Sequence, residues 1–169
     1  MDCTLSAGTD PARTPSGPSA PAHHLTHLTD IHDSRRARSL PLKLYLPDCA
    51  SPAGLILFSH GLGGSREGGT EWLSHWAGLG FAAIAVQHPG SDTSLLHNNS
   101  PLALRKAFRV AMNSDELTRR ADDLRFVLSR IGRDGCFPDA INAAQKIGLC
   151  GHSFGAVTVQ LLAGERRPE

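Results

Sequence analysis

The amino-acid sequence predicts an α/β fold, a mostly parallel sheet with helices on both faces. Three observations carry that prediction. The runs "AGLILFSHG" (53–61) and "FAAIAVQH" (81–88) have the near-continuous apolar character of strands buried on both faces, and "KIGLC" (146–150) is a further apolar strand-like run. Segments of helical periodicity stand between them, and strands that alternate with helices pair in parallel. Two glycine-rich turns, "GLGGSREGG" and "GHSFG", fall at carboxyl ends of strands, where sheets of this kind bind ligands.

Composition narrows the class. A chain of 169 residues with 40% hydrophobic content supports one domain with a substantial core. Its 17 basic and 16 acidic residues leave a net charge of +1, no footing for nucleic acid or an anionic membrane. Cys3, Cys49, Cys136 and Cys150 are widely spaced and form no C-x-x-C pair, which reads as free thiols in a reducing compartment. The chain opens Met-Asp without a basic or apolar leader, and no run approaches the ~20 apolar residues of a membrane span. The expectation is a cytoplasmic protein.

The elements follow in order. Residues 1–22 are biased to Pro, Ser, Gly, Ala and Thr; they offer little apolar surface to repay ordering and are expected to form a disordered tail. Residues 23–39 form a polar lead-in, strand or loop. It carries His23, His24, His27 and His32, with no carboxylate or cysteine at metal-ligand spacing, so no metal is expected. "PLKLYLP" (41–47) alternates with period two between prolines, as a half-buried strand near a sheet edge does. Thr70 to Leu79 sets Trp72, Leu73, Trp76 and Leu79 on one helical stripe, with Gly80 as its stop. Helical character returns at 101–112. Asn113 or Ser114 caps a further helix, with Glu116 placed as in a capping box. Leu117, Ala121, Leu124, Leu128 and Ile131 form its apolar stripe, while Arg119, Arg120, Asp122, Asp123 and Arg125 read as solvated surface. A loop then leads to the strand at 146–150, the turn, and a helix over 156–163.

Gly151-His152-Ser153-Phe154-Gly155 is a Gly-x-Ser-x-Gly turn with an apolar strand before it and a helix after it. That context makes the motif chemically meaningful. A serine thrust from a tight strand-to-helix bend is strained and crowded by neighbouring chain, so glycine is needed on either side. The bend also leaves free amides at the helix start, where an oxyanion would form. "SHGLGG" (59–64) follows an earlier strand and could supply a second such amide.

Taken together, "LYLP", "LILFSHGLGGSREGG", "WLSHWAGLGFAAIAVQHPGSD", "RFVL" and "IGLCGHSFGA" resemble the α/β-hydrolase superfamily over about 40–163. More narrowly they are similar to the dienelactone-hydrolase-like esterases and to platelet-activating-factor acetylhydrolases. The resemblance implies a three-layer fold, a small-molecule ester substrate, and no cofactor or metal. It makes Ser153 the nucleophile, where dienelactone hydrolases proper use cysteine. The amides of Leu62 and Phe154 would hold the oxyanion, supported by His60, Gly61, Gly151, His152 and Gly155. His60 would order the oxyanion loop by hydrogen bonding.

The pattern then breaks. Triads of this superfamily run Ser, Asp or Glu, His. After Ser153 the chain has no aspartate or histidine, only Glu165 and Glu169. The triad Asp and His are therefore absent from this chain. The reading is that residues 40–169 are the N-terminal portion of a hydrolase domain, incomplete at its C-terminal side and inactive or weak alone. "KIGLC" would then be an exposed sheet edge open to self-association. Among upstream histidines, His152 leaves the turn in another direction, His60 and His88 end strands and can line the crevice, and His75 is surface. The alternative reading is a non-catalytic binding domain built on a hydrolase shell.

Overall fold

The computed structural model describes residues 24–96, 102, 105, 106, 109, 112–133 and 135–164. The expected tail over 1–22 lies outside the described residues, as does most of the helix expected at 101–112, of which Leu102, Arg105, Lys106 and Arg109 are helical. The strands are β1 (His24–Asp33), β2 (Arg38–Pro47), β3 (Leu55–Ser59), β4 (Ala82–Val86) and β5 (Ile147–Gly151). The helices are α1 (Thr70–Gly78), α2 (Ser114–Arg130), α3 (Asp139–Asn142) and α4 (Phe154–Leu162), with a 3-10 turn at Thr93–Leu96.

The sheet runs β1-β2-β4-β3-β5. β4, β3 and β5 are parallel, and β2 joins them antiparallel. The parallel half carries both glycine-rich turns. β2 lies one strand in from the edge, near it as its prolines predict, and β1 pairs with it along its whole length, from His24 with Pro47 to Asp33 with Arg38. β1 has few apolar residues of its own, and Leu25 remains 74% exposed, so the pairing with β2 defines it as a strand. Asp33 closes the connecting turn: its Oδ1 accepts from the amides of Arg35 and Arg36 at 3.1 and 3.4 Å.

Alternation along the strands splits the core in two. Leu40, Leu42 and Leu44 of β2, Leu55 and Leu57 of β3, and Ala82, Ile84 and Val86 of β4 face one side. They pack there with Leu124 and Val127 of α2, Ile141 of α3, and Phe137. Tyr45, Phe58, Ala83 and Ala85 face the other side, against Leu73 and Ala77 of α1. The result is three layers with helices on both faces. β5 borders only β3, and Ile147 is 44% exposed.

Two helix faces differ from expectation. On α1 the buried positions are Leu73 and Ala77; Trp72 and Leu79 stay about half exposed, because the sheet meets the helix along one i,i+4 line. Gly80 ends α1 as a Schellman cap. Its φ is 90°, its amide donates to Ala77 O, and the next amide, Phe81, donates to Trp76 O. Of the two candidates, Asn113 rather than Ser114 caps α2, accepting from Glu116 N at 2.8 Å. Within α2, however, Arg120 and Asp123 are fully buried rather than solvated. They lie three and four residues from Leu117, Leu124 and Val127, so the packed stripe contains them.

In the β1–β2 turn Ala37 is held at φ 48°, a conformation costly for a side chain with a Cβ. Replacing Ala37 by glycine is expected to relieve about 0.5–1 kcal/mol of that strain. Thermal unfolding of A37G should show a midpoint a few degrees higher than wild type.

Candidate active site

Ser153 stands between the end of β5 and the start of α4 with φ 53° and ψ −118°. Only Ala37 and Ser153 among the described non-glycine residues have positive φ. Holding a serine there costs about 1–3 kcal/mol, which the surrounding packing must impose. The cause is contact between main chains. A Cβ at Gly155 would lie 2.0 Å from Ser59 O, and one at Gly151 would lie 2.3 Å from Gly155 O. α4 therefore begins directly on the carboxyl end of β3, and His152 N donates to Ser59 O at 3.1 Å to pin the bend there. The side chains of Ser153 and His152 are both left exposed.

A cleft of about 430 Å³ opens over this bend. Phe58, Trp72 and His152 give it aromatic walls, and the Gly61–Gly64 loop, Gly68 and Gly69 give it a floor of main chain. Ser153, His60, Gly61 and Leu62 all line it, so these predicted residues converge on one space. A Cβ at Gly61 would lie 3.4 Å from Ser153 Cβ, which measures how closely the loop approaches the serine.

The loop's orientation is set by His60. His88 N donates to His60 Nε2 at 3.0 Å, so the ring proton sits on Nδ1, which donates to Gly61 O at 2.6 Å. Gly64 N donates to the same carbonyl at 3.0 Å. In a trans peptide the C=O and N–H point in opposite directions, so fixing Gly61 O aims the Leu62 N–H away from His60. Among the described residues, neither the Leu62 nor the Phe154 amide has an acceptor. Ser153 Oγ likewise has no hydrogen-bond partner among them. The exposed hydroxyl is thus followed in sequence by one unpaired main-chain donor, and the loop that shares its cleft carries another.

No base for Ser153 appears among the described histidines that line the strand ends. Both ring nitrogens of His60 are engaged as above. His88 does not line the cleft: it is fully buried, with Nδ1 2.9 Å from Asp123 Oδ2 and Nε2 2.9 Å from Ser59 Oγ. Ser59, His88 and Asp123 thus reproduce a Ser–His–Asp chain of hydrogen bonds. All three are buried, and Arg120 Nη2 occupies the flank of Ser59 Oγ at 3.0 Å, so no substrate can reach that hydroxyl. This is a structural array, a second feature that the reading of α2 as solvated missed.

Burial sets the electrostatics of the array. It drives the His60 pKa down to about 4 and that of His88 to about 3, with Arg120 adding repulsion to both, so both rings are neutral at neutral pH. Burial would raise the Asp123 carboxyl, but hydrogen bonds from His88 and Arg38 hold it below the ordinary value. Arg38 Nε and Arg36 Nη1 each lie 2.8 Å from Asp123 Oδ1. Burial also lowers Arg120 to about 10, which leaves it charged. No group of three or more His, Cys, Asp or Glu side chains able to hold a metal is found among the described residues, and no described helix is long and apolar enough to cross a membrane.

Solved structures share this arrangement of strands and helices. A ferulic acid esterase from Streptomyces cinnamoneus matches 88% of this chain and 57% of its own, with a TM-score of 0.66 and 20% identity. A dienelactone hydrolase from Anabaena variabilis matches 85% and 58%, with a TM-score of 0.57 and 19% identity. A dienelactone hydrolase-like promiscuous phosphotriesterase from metagenomic libraries matches 83% and 54%, with a TM-score of 0.57 and 18% identity. The chain therefore spans under two thirds of the length of each. No family model and no curated protein matches the sequence. The structural likeness establishes the three-layer α/β-hydrolase fold.

Two outcomes follow from this geometry. Gly155→Ala must push the start of α4 off β3 and is expected to cost about 3 kcal/mol or more, read as a lower urea midpoint. The second concerns pH. Folding moves His60 and His88 from the ordinary 6.5 to about 4 and about 3, so the unfolded chain takes up protons first as pH falls. Their contribution to stability is complete above pH 6.5 and is lost as pH drops toward 4, by about 1.4 kcal/mol per pH unit per group. Urea midpoints at about pH 7 and about pH 5 should differ in that direction, and His88→Gln should shrink the difference.

Proposed function

We propose that this chain carries the nucleophile and oxyanion-binding groups of a serine ester hydrolase, acetylhydrolase-like in substrate class and working through an acyl-enzyme at Ser153. One observation supports the reading above the others. An exposed serine hydroxyl, raised on a left-handed bend, shares a cleft with the loop bearing the unpaired Leu62 amide and is followed by the unpaired Phe154 amide. The structural neighbours include a ferulic acid esterase and a dienelactone hydrolase, which supports the same chemistry.

In the proposed reaction Ser153 Oγ attacks the ester carbonyl carbon. The carbonyl π electrons move onto oxygen, which the Leu62 and Phe154 amides receive. Collapse expels the alcohol, which leaves with the proton first held by Oγ, and water then cleaves the acyl-enzyme to free acid. The aromatic walls, Phe58 and Trp72 with ring centroids 6.3 Å apart, suit an apolar acyl or leaving group. The mechanism uses no cofactor.

A second reading is favoured by a separate observation. Ser153 Oγ has no imidazole partner among the described residues, as befits a non-catalytic domain that binds esters or acids in the same cleft. Lack of a triad base lowers turnover by roughly 10⁴ to 10⁶, while oxyanion binding alone retains about 10³ over water. The first reading therefore expects slow but serine-dependent acylation.

A fluorophosphonate probe separates the two. Labelling should be detectable in wild type by intact mass and vanish in Ser153→Ala. Equal labelling of both proteins, or none in either alongside saturable ligand binding, would replace the esterase reading with the binding one.

A further inference from the structure

The two unpaired amides are carried by different parts of the chain, and their relative position decides whether one oxygen can meet both. Four bonds from one side chain bridge those parts. Arg120 is fully buried, and its Nη2 donates to Ser59 Oγ at 3.0 Å and to His60 O. Its Nη1 donates to Ser91 Oγ at 3.0 Å, and Ser91 O in turn accepts from Gly63 N at 2.8 Å. The peptide bearing the Leu62 amide is thus held on both sides by groups fastened to one guanidinium.

The same side chain grips the serine turn. Arg120 Nε donates to Thr158 Oγ1 at 3.2 Å, and Thr158 Oγ1 donates to Phe154 O at 2.9 Å. The guanidinium carbon also lies 5.0 Å from the Phe154 ring centroid, a cation–π contact within the protein interior. Phe154 carries the second unpaired amide. A planar fork with donors on three nitrogens can serve these partners at once; an ammonium, a single point of charge, cannot.

Resting on the serine-hydrolase reading, we propose that Arg120 is a positioning residue which sets the spacing of the Leu62 and Phe154 amides for a tetrahedral oxyanion. It touches no substrate. It acts through His60 O and Ser91 on one side and through Thr158 and the Phe154 ring on the other.

Phenylboronic acid is the probe, because its serine adduct is a tetrahedral anion whose ¹¹B resonance is distinct from that of the free trigonal acid. Arg120→Met and Arg120→Lys are expected to weaken adduct formation by about 10- to 100-fold, in the range of losing part of an oxyanion hole. Thr158→Val keeps the guanidinium and removes one link, and should cost several-fold. Melting temperatures measured in parallel separate folding from positioning, since a merely structural arginine would lower the melting point without changing the affinity of folded protein. Should Arg120→Met not fold, Arg120→Lys and Thr158→Val decide. Wild-type affinity in both, as folded proteins, would overturn the role of Arg120 while leaving Ser153 in place. A tetrahedral signal that persists in Ser153→Ala, or is missing from wild type, would instead remove the serine reading and this inference with it.

Discussion

Main chain against main chain, with no room for a methyl group, is the constraint from which the site grows. Gly155 rests on the carbonyl of Ser59 so closely that a Cβ would stand 2.0 Å from it. That contact brings the first turn of α4 over the end of β3. The chain leaving β5 must then turn within two residues, and Ser153 absorbs the turn in a conformation that side chains avoid. The strain is the reason the hydroxyl stands clear of its neighbours. It also brings the serine turn beside the loop from His60 to Gly64, so two segments distant in sequence line one cleft.

Around the strand ends lies a layer of buried and half-buried charge. Arg36 and Arg38 converge on Asp123, Arg36 also pairs with Asp33, and Arg120 and neutral His60 and His88 lie buried beside them. Groups this polar are tolerated in an interior only when they are bonded to one another, and here nearly all are. The layer connects the β1–β2 turn, the ends of β3 and β4, α2 and α4. The chain Ser59–His88–Asp123 within it shows that hydrogen-bond order alone does not make a reactive serine. Access and a vacant flank on the hydroxyl are needed as well, and Ser153 has both.

The sequence was informative where periodicity and glycine spacing speak directly. The buried strands β3 and β4 show as unbroken apolar runs, the Gly80 stop is plain, the cap of α2 narrows to Asn113 or Ser114, and Ser153, His60, Gly61 and Leu62 line one cleft. It misled where a partner supplies the structure. β1 has little strand character until β2 pairs with it, so the sequence leaves residues 23–39 open between strand and loop. Arg120 and Asp123 read as surface because charge usually means surface. Their spacing from Leu117, Leu124 and Val127 already put them on the packed stripe, and trusting period over polarity would have found the buried array.

Trp72 has a practical consequence of its own. Its indole is 51% exposed at the rim of the cleft, tilted toward His152 at 6.3 Å and edge-on to Phe58. Only one other tryptophan, Trp76, is present in the chain. Anything entering the cleft must strip water from that ring, and indole emission moves to shorter wavelength as its surroundings dry. The molecule therefore carries its own optical gauge of occupancy, one that reads filling of the cleft whether or not any bond is made or broken there.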